Sequence, residues 1–421
     1  MSKRRHLIIG SGAAALSALK QIRKLGSKDE IKLVTMENHL PYSPMSLPYL
    51  ISGKRTEEDI TIVDDDFFHK VDATLARGKR VDQIEPDQKQ VFYVEGGNES
   101  YDTLLIATGS EPRLQPILVA AGVPGFHILD DYARLKDLKD ESRIAILGAG
   151  FVGMELAVSF VEKGHEVTVI APRERILRLY FDDEVDDIII DLFAEHGIRV
   201  ERQWGEVTEV IKHNDSFDVT CANDKKTTTD VLIAATGVSP RVSFLNGSGL
   251  DTNEGILVDR KMKTNVPDIF AAGDVAEAPD FFTGNNGMSL IWPSAIEQGE
   301  IAGSNMVGEE AEYQGWLSMN AFNFFGHFAV SIGEFIGTEG DESFVQKDIK
   351  KRCFGKIVCR DDKLIGANFF NMAVDGGVIQ SLIKNRVDIG PHKELLLEKP
   401  KEAGLWLMQE AERKSARSLD G

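Results

Sequence analysis

Leu7-Ile8-Ile9-Gly10-Ser11-Gly12-Ala13-Ala14-Ala15 runs from an apolar stretch through a glycine turn into an alanine-rich helical pattern. Ile144-Ala145-Ile146-Leu147-Gly148-Ala149-Gly150-Phe151-Val152-Gly153 repeats the plan later in the chain. A glycine-rich turn between a buried strand and a helix lets the backbone approach a diphosphate and aims the helix N-terminus at it. Each loop therefore predicts a dinucleotide site. Two such sites in one chain predict one nucleotide that stays bound and another that comes and goes.

Working outward, each loop opens a βαβ unit. After the first, a helix over roughly residues 13–25 leads to Ile31-Lys32-Leu33-Val34-Thr35-Met36, and Glu37 stands where an acid would hydrogen-bond ribose hydroxyls. After the second, a helix carrying Met154, Leu156, Ala157, Phe160 and Val161 leads to Glu166-Val167-Thr168-Val169-Ile170. Both units later show a strand ending in Ala-Thr-Gly, at Ala107-Thr108-Gly109 and Ala235-Thr236-Gly237. From about Tyr313 the pattern alternates, as in Arg352–Cys359 and Leu364–Phe370, which predicts antiparallel strands. The expected fold class is α/β: two Rossmann-like three-layer dinucleotide-binding domains plus a C-terminal α+β interface domain. The expected domains are 1–112 with 247–312, 113–246, and 313–421.

Bulk properties bound the partners. The chain has 421 residues, enough for two or three cores, and a formal net charge of -19, which argues against nucleic acid or an anionic membrane surface as the main partner. Cys221, Cys353 and Cys359 are the only cysteines, and none forms a CxxC pair, so a reducing compartment fits. Lys3-Arg4-Arg5 before an apolar run has the look of a secretory leader, but cleavage there would destroy the Gly10–Gly12 loop. No run of eighteen apolar residues occurs, so no membrane span is expected and the cytoplasm is the expected location.

The segment Ile269-Phe270-Ala271-Ala272-Gly273-Asp274, added to the two glycine loops and the two Ala-Thr-Gly strands, resembles the FAD-dependent pyridine nucleotide–disulfide oxidoreductase superfamily. The resemblance covers about residues 5–310. It implies FAD on the first unit, held at Gly10, Gly12, Ala15, Glu37, Thr108, Gly109, Gly273 and Asp274, the last on the ribityl chain. It also implies that Pro293-Ser294-Ala295 opens a helix facing the flavin's pyrimidine edge. A nicotinamide nucleotide would bind at Gly148, Gly150, Gly153 and Gly237. Phe151 matches an aromatic gate in related reductases, or else packs beneath its helix. Glu155 matches a glutamate near the nicotinamide carboxamide. Between NAD and NADP the signs divide. Ala171 and Pro172 replace the expected acid and Arg173, Arg175 and Arg178 follow, which suits a 2′-phosphate, while Gly153 and Glu174 favour NAD. NAD(H) is the expectation.

What is missing narrows the chemistry. Met45, in Pro41–Leu50, stands about where coenzyme A–disulfide reductases and NADH oxidases of the family carry their single redox cysteine. A thioether forms no thiolate. Pro391-His392 reverses the family's His-Pro order. The chain thus resembles most the NADH:rubredoxin and ferredoxin reductases lacking redox cysteines, and the FAD subunit of multisubunit (tungsten) aldehyde oxidoreductases. The expected function is FAD-dependent NAD(P)(H) oxidoreduction that exchanges electrons with an iron–sulfur protein or partner subunits. The alternatives are a stand-alone NADH oxidase or quinone reductase, and a redox-responsive FAD/NAD-binding protein. A homodimer or a hetero-oligomeric complex fits the third domain. Leu405–Lys414 reads either as a docking helix or as a tail packed on its own domain, and the aromatic stretch Asn320–Phe328 as core.

Overall fold

The computed structural model describes residues 3–419, with side chains to residue 414. The chain divides into two compact units. One comprises Met1–Arg113, His127–Lys136 and Gly237–Trp316, the other Leu114–Phe126, Asp137–Thr236 and Leu317–Gly421.

The first unit is built on a five-stranded parallel sheet. Strands β1 (Arg5–Ile9), β2 (Glu30–Val34) and β3 (Ala73–Ala76) lie side by side, and the Thr103–Ile106 and Ile269–Ala271 strands complete the other edge. The order is Ile269–Ala271, Thr103–Ile106, β1, β2, β3, so β1 is central. Its Leu7, Ile8 and Ile9 are buried, as a strand covered on both faces requires. Helix α1 (Ala13–Lys24) follows and packs along the Trp292–Met306 helix. The contact is close because Gly299 and Gly303 face the α1 backbone at Ala14 and Ala18. Larger residues would hold the helices apart.

The second unit repeats the parallel plan in four strands, ordered Ile198–Glu201, Glu166–Ile170, Arg143–Leu147, Val231–Ala234. The Phe151–Glu162 helix follows the central Arg143–Leu147 strand. Residues from Leu317 onward add a five-stranded antiparallel sheet, Met319–Phe324 to Lys363–Phe370, with the Gly376–Lys384 and Pro400–Leu419 helices packed together beside it. This sheet is hydrogen-bonded to neither parallel sheet, and on that topology we propose 313–421 as a domain of its own, alongside the two proposed nucleotide domains. Phe322 and Phe324 are buried among Phe181 and Phe193. In the last helix Ala403 and Leu407 are buried, while Leu405 and Trp406 are partly exposed and Trp406 lies edge-on to His392. Among the described residues no helix is long and apolar enough to cross a membrane.

Candidate functional site

The turn after β1 is closed by contact. Gly10 has φ +119°, and a Cβ there would lie 2.1 Å from the Ala107 carbonyl oxygen, so only glycine fits. Gly12 caps α1 with an extended backbone and no side-chain hydrogen bond, and a Cβ on it would meet nothing within 4 Å. The first amides of α1 therefore lack a side-chain capping partner, and an uncapped helix N-terminus is the arrangement that accepts a phosphate. Ala15 is fully buried one turn on.

Glu37, Thr108 and Asp274 each follow a strand of the same parallel sheet. Glu37 receives the Tyr42 hydroxyl at 2.7 Å, and that hydroxyl accepts from the Leu129 amide at 3.1 Å. Burial pushes the Glu37 carboxyl up, against the Tyr42 hydrogen bond and the nearby Arg241 charge. The Thr108 hydroxyl donates to the Arg241 carbonyl at 3.2 Å, and Gly109 takes a positive φ of +67°. At the end of the Ile269–Ala271 strand the Gly273 amide donates at 2.8 Å to Gln298, a buried glutamine. Asp274 follows. Its Oδ2 accepts from the Ser110 hydroxyl at 2.9 Å, its Oδ1 meets no hydrogen-bond partner among the described residues, and burial raises its pKa. Ser110 also meets His127 Nε2 at 3.3 Å. Ala295 is buried in the first turn of its helix. A half-satisfied carboxylate and an uncapped helix, both at the carboxyl end of one parallel sheet, suit a dinucleotide carrying many hydroxyls and two phosphates. Tyr42, Ser110, His127, Arg241 and Gln298 were not foreseen. No residue pattern marks them, and His127, Arg241 and Gln298 come from segments far from the loop in sequence.

In the second unit Gly148 repeats the geometry of Gly10, with φ +111° and the Ala235 carbonyl 2.2 Å from an added Cβ. Gly150 is open like Gly12. Gly153 differs from Ala15, because a Cβ at 153 would lie 2.1 Å from the Gly148 carbonyl. Here the third glycine is a packing requirement. Gly237 has φ +96°. Phe151 begins the helix and packs against Tyr180, centroids 4.2 Å apart, and Phe322 at 5.3 Å. Glu155, one turn on, is half-buried with no ion pair or hydrogen bond, and burial alone raises its pKa to about 7.

The three arginines after the Glu166–Ile170 strand separate. Arg175 is spent on the fold, its Nε 2.8 Å from Asp183 and 3.1 Å from Asp186, with Nη2 on the Phe181 carbonyl. Arg173 and Arg178 are exposed and, among the described residues, carry no side-chain ion pair or hydrogen bond. Glu174 is paired to Arg202 at 3.2 Å and to Gln203. From the antiparallel sheet, Lys356 reaches Asp182 at 2.9 Å and the buried Asn368 amide reaches the Tyr180 carbonyl at 3.2 Å, so that sheet anchors the 171–182 loop.

No cysteine serves the first unit. All three lie in the second, unpaired, and burial pushes each thiol up, Cys359 to about 11. Met45 is 54% exposed. His392 lies in a short 3₁₀ turn. Among the described residues no three His, Cys, Asp or Glu side chains gather as a metal site.

Comparison with known proteins matches residues 4–299 to a family model described as pyridine nucleotide-disulphide oxidoreductase. NADH-dependent phenylglyoxylate dehydrogenase subunit epsilon of Aromatoleum evansii is 35% identical over 413 residues, covering 96% of this chain and 97% of that protein. NADH oxidase of Methanocaldococcus jannaschii is 31% identical over 321 residues, 73% of this chain and 71% of that protein. Among solved structures, the covalent putidaredoxin reductase–putidaredoxin complex contains a chain that superposes with a TM-score of 0.85 at 22% identity, over 94% of this chain and 96% of that one, a likeness of fold.

Proposed function

Because the chain belongs to the pyridine nucleotide-disulphide oxidoreductase family, we propose that it is the flavin subunit through which a larger oxidoreductase exchanges electrons with NAD(H). It is an FAD-dependent NAD(P)H oxidoreductase. The observation that carries the finer reading is the missing thiol: the first unit holds no cysteine, and Met45 stands at the family's redox position. Without a second redox group, electrons leave the flavin directly for an acceptor outside the chain. The relative named as an NADH-dependent dehydrogenase subunit, matched over nearly its whole length, supports a subunit held in a complex, and the proposed location of that complex is the cytoplasm.

When bound, FAD supplies the step from a two-electron hydride donor to single-electron transfer. The chain supplies grip and polarity. The amides at Gly12 and the start of α1 receive the diphosphate, Glu37 the adenosine ribose, and Asp274 Oδ1 a ribityl hydroxyl. The helix opening at Pro293-Ser294-Ala295 would offer its positive end to a flavin held there, favouring the negative charge of the reduced ring. In the second unit Gly148, Gly150 and Gly153 hold the nicotinamide nucleotide, and Glu155 orients the carboxamide, with Phe151 beside it as the gate. NADH is the proposed nucleotide, with the phenylglyoxylate enzyme's name in support. The partner proposed is an iron–sulfur protein or subunit.

The test is anoxic purification, then absorbance before and after NADH or NADPH. Bleaching of a yellow chromophore by NADH, followed by rapid reoxidation with an iron–sulfur acceptor and slow reoxidation with oxygen, is the expected result. Oxygen as the faster acceptor would favour a stand-alone oxidase. No bleaching with either nucleotide would overturn the hydride-transfer reading.

A further inference from the structure

One cation, Arg241, reaches residues that follow both strands flanking β1, from a segment that the loop's own sequence does not contain. Arg241 follows the Val238–Pro240 strand, which pairs antiparallel with Ser110–Pro112. Both of its backbone polar groups are tied to the exit of the Thr103–Ile106 strand: its amide donates to the Gly109 carbonyl at 3.0 Å and its carbonyl accepts from Thr108. Its side chain, 19% exposed, reaches further. Nε donates to the Ser110 carbonyl at 2.8 Å, and Nη1 touches Met36 Sδ at 3.6 Å and Glu111 at 3.4 Å.

The sheet order turns these contacts into a position. Ser110 follows the Thr103–Ile106 strand and Met36 follows β2, and β1 lies between those two strands. A side chain that touches residues beyond both flanking strands must cross the carboxyl end of β1, where the Gly10–Gly12 turn begins. That is the crevice in which an open parallel sheet binds its ligand. Gly10 to Leu16 contain no basic residue, so the loop and first turn offer amides but no cation. Among the described residues Arg241 Nη2 has no hydrogen-bond or ion-pair partner, and the Glu111 carboxylate beside Nη1 is half exposed.

We propose that Arg241 is the diphosphate-binding cation of the FAD site, its guanidinium laid over the glycine turn by the strand that leaves the second dinucleotide module. The inference rests on FAD occupying the first module. A guanidinium presents two N–H edges to a phosphate where an ammonium presents a point charge. The Ser110 carbonyl takes Nε, and Met36 and Glu111 lie against Nη1, which leaves Nη2 for the ligand. The substitution that removes the charge therefore acts on phosphate affinity and on its dependence on salt.

The test is titration of apoprotein with FAD by calorimetry at low and at high salt, for the native chain, Arg241→Met and Arg241→Lys. The Met variant is expected to bind FAD roughly 10–100-fold more weakly at low salt, the cost of losing a charged hydrogen bond, and to lose most of the salt dependence. The Lys variant is expected to keep the salt dependence at intermediate affinity. Thermal unfolding of the three apoproteins provides the second readout, with closely similar midpoints expected. Native FAD affinity and salt dependence in the Met variant would overturn the proposal. So would a Met apoprotein that unfolds earlier while its salt dependence is native, since that marks a structural role. If the Met variant does not fold, a Lys variant with native affinity overturns it. Failure of the native apoprotein to bind FAD at all would instead overturn the flavoprotein reading.

Discussion

Replacing Glu155 by glutamine should stabilise the protein, and only above a definite pH. Glu155 sits half-buried one turn into the Phe151–Glu162 helix, and burial with no compensating charge raises its pKa from 4.5 to about 7. Below pH 4.5 the carboxyl is neutral in both folded and unfolded chains, so the shift costs nothing. Between 4.5 and about 7 the unfolded chain releases its proton and the folded chain does not, and stability falls as pH rises. Each pH unit in that window costs about 1.4 kcal/mol, so above pH 7 the penalty levels off at ~3 kcal/mol. Glutamine keeps the shape and removes the titration. Without added nucleotide, the unfolding midpoints of Glu155→Gln and the native chain should coincide near pH 4.5 and diverge up to pH 7, with the variant the more stable. Parallel curves from pH 5 to 8 would refute the reasoning. If Glu155 also orients the carboxamide, the same variant raises the KM for NADH more than it lowers kcat.

Gly299→Ala puts a methyl 2.2 Å from the Ala14 carbonyl, against backbone that cannot yield. It should destabilise by about 1–3 kcal/mol and lower the FAD content on purification, since α1 carries the glycine turn, and absorbance per chain measures it. Lys356→Met leaves Asp182 as a largely buried lone carboxylate, 18% exposed; roughly 2–4 kcal/mol of stability should go, with a higher KM for the nicotinamide nucleotide, and Asp182→Asn in the same chain should restore part of the stability. Arg173→Ala with Arg178→Ala removes two exposed, unpaired cations, so kcat/KM for NADPH should fall several-fold while that for NADH holds, and an equal fall for both would count against a 2′-phosphate role.

The sequence alone determined what short-range geometry controls. Gly10 and Gly148 could be read because the turn needs a left-handed residue whose Cβ would strike the neighbouring strand, and that demand is written in adjacent residues. The buried strands, the helices after them and the α/β class follow from the same local patterns, and so does the absence of a thiol near Met45. Tertiary structure decided the rest. Arg241 crosses the end of β1 only because sheet order sets β1 between two strands far from it in the chain. Asp274 is oriented by Ser110, and the Tyr42 that holds Glu37 is itself held by the Leu129 amide, partners fixed by crossovers rather than spacing. Of three arginines in one short loop, Arg175 is consumed by Asp183 and Asp186 while Arg173 and Arg178 stay free. Residue type announces which groups can bind, but only the packed fold decides which are already spent, because a hydrogen bond or ion pair is settled by distance in space.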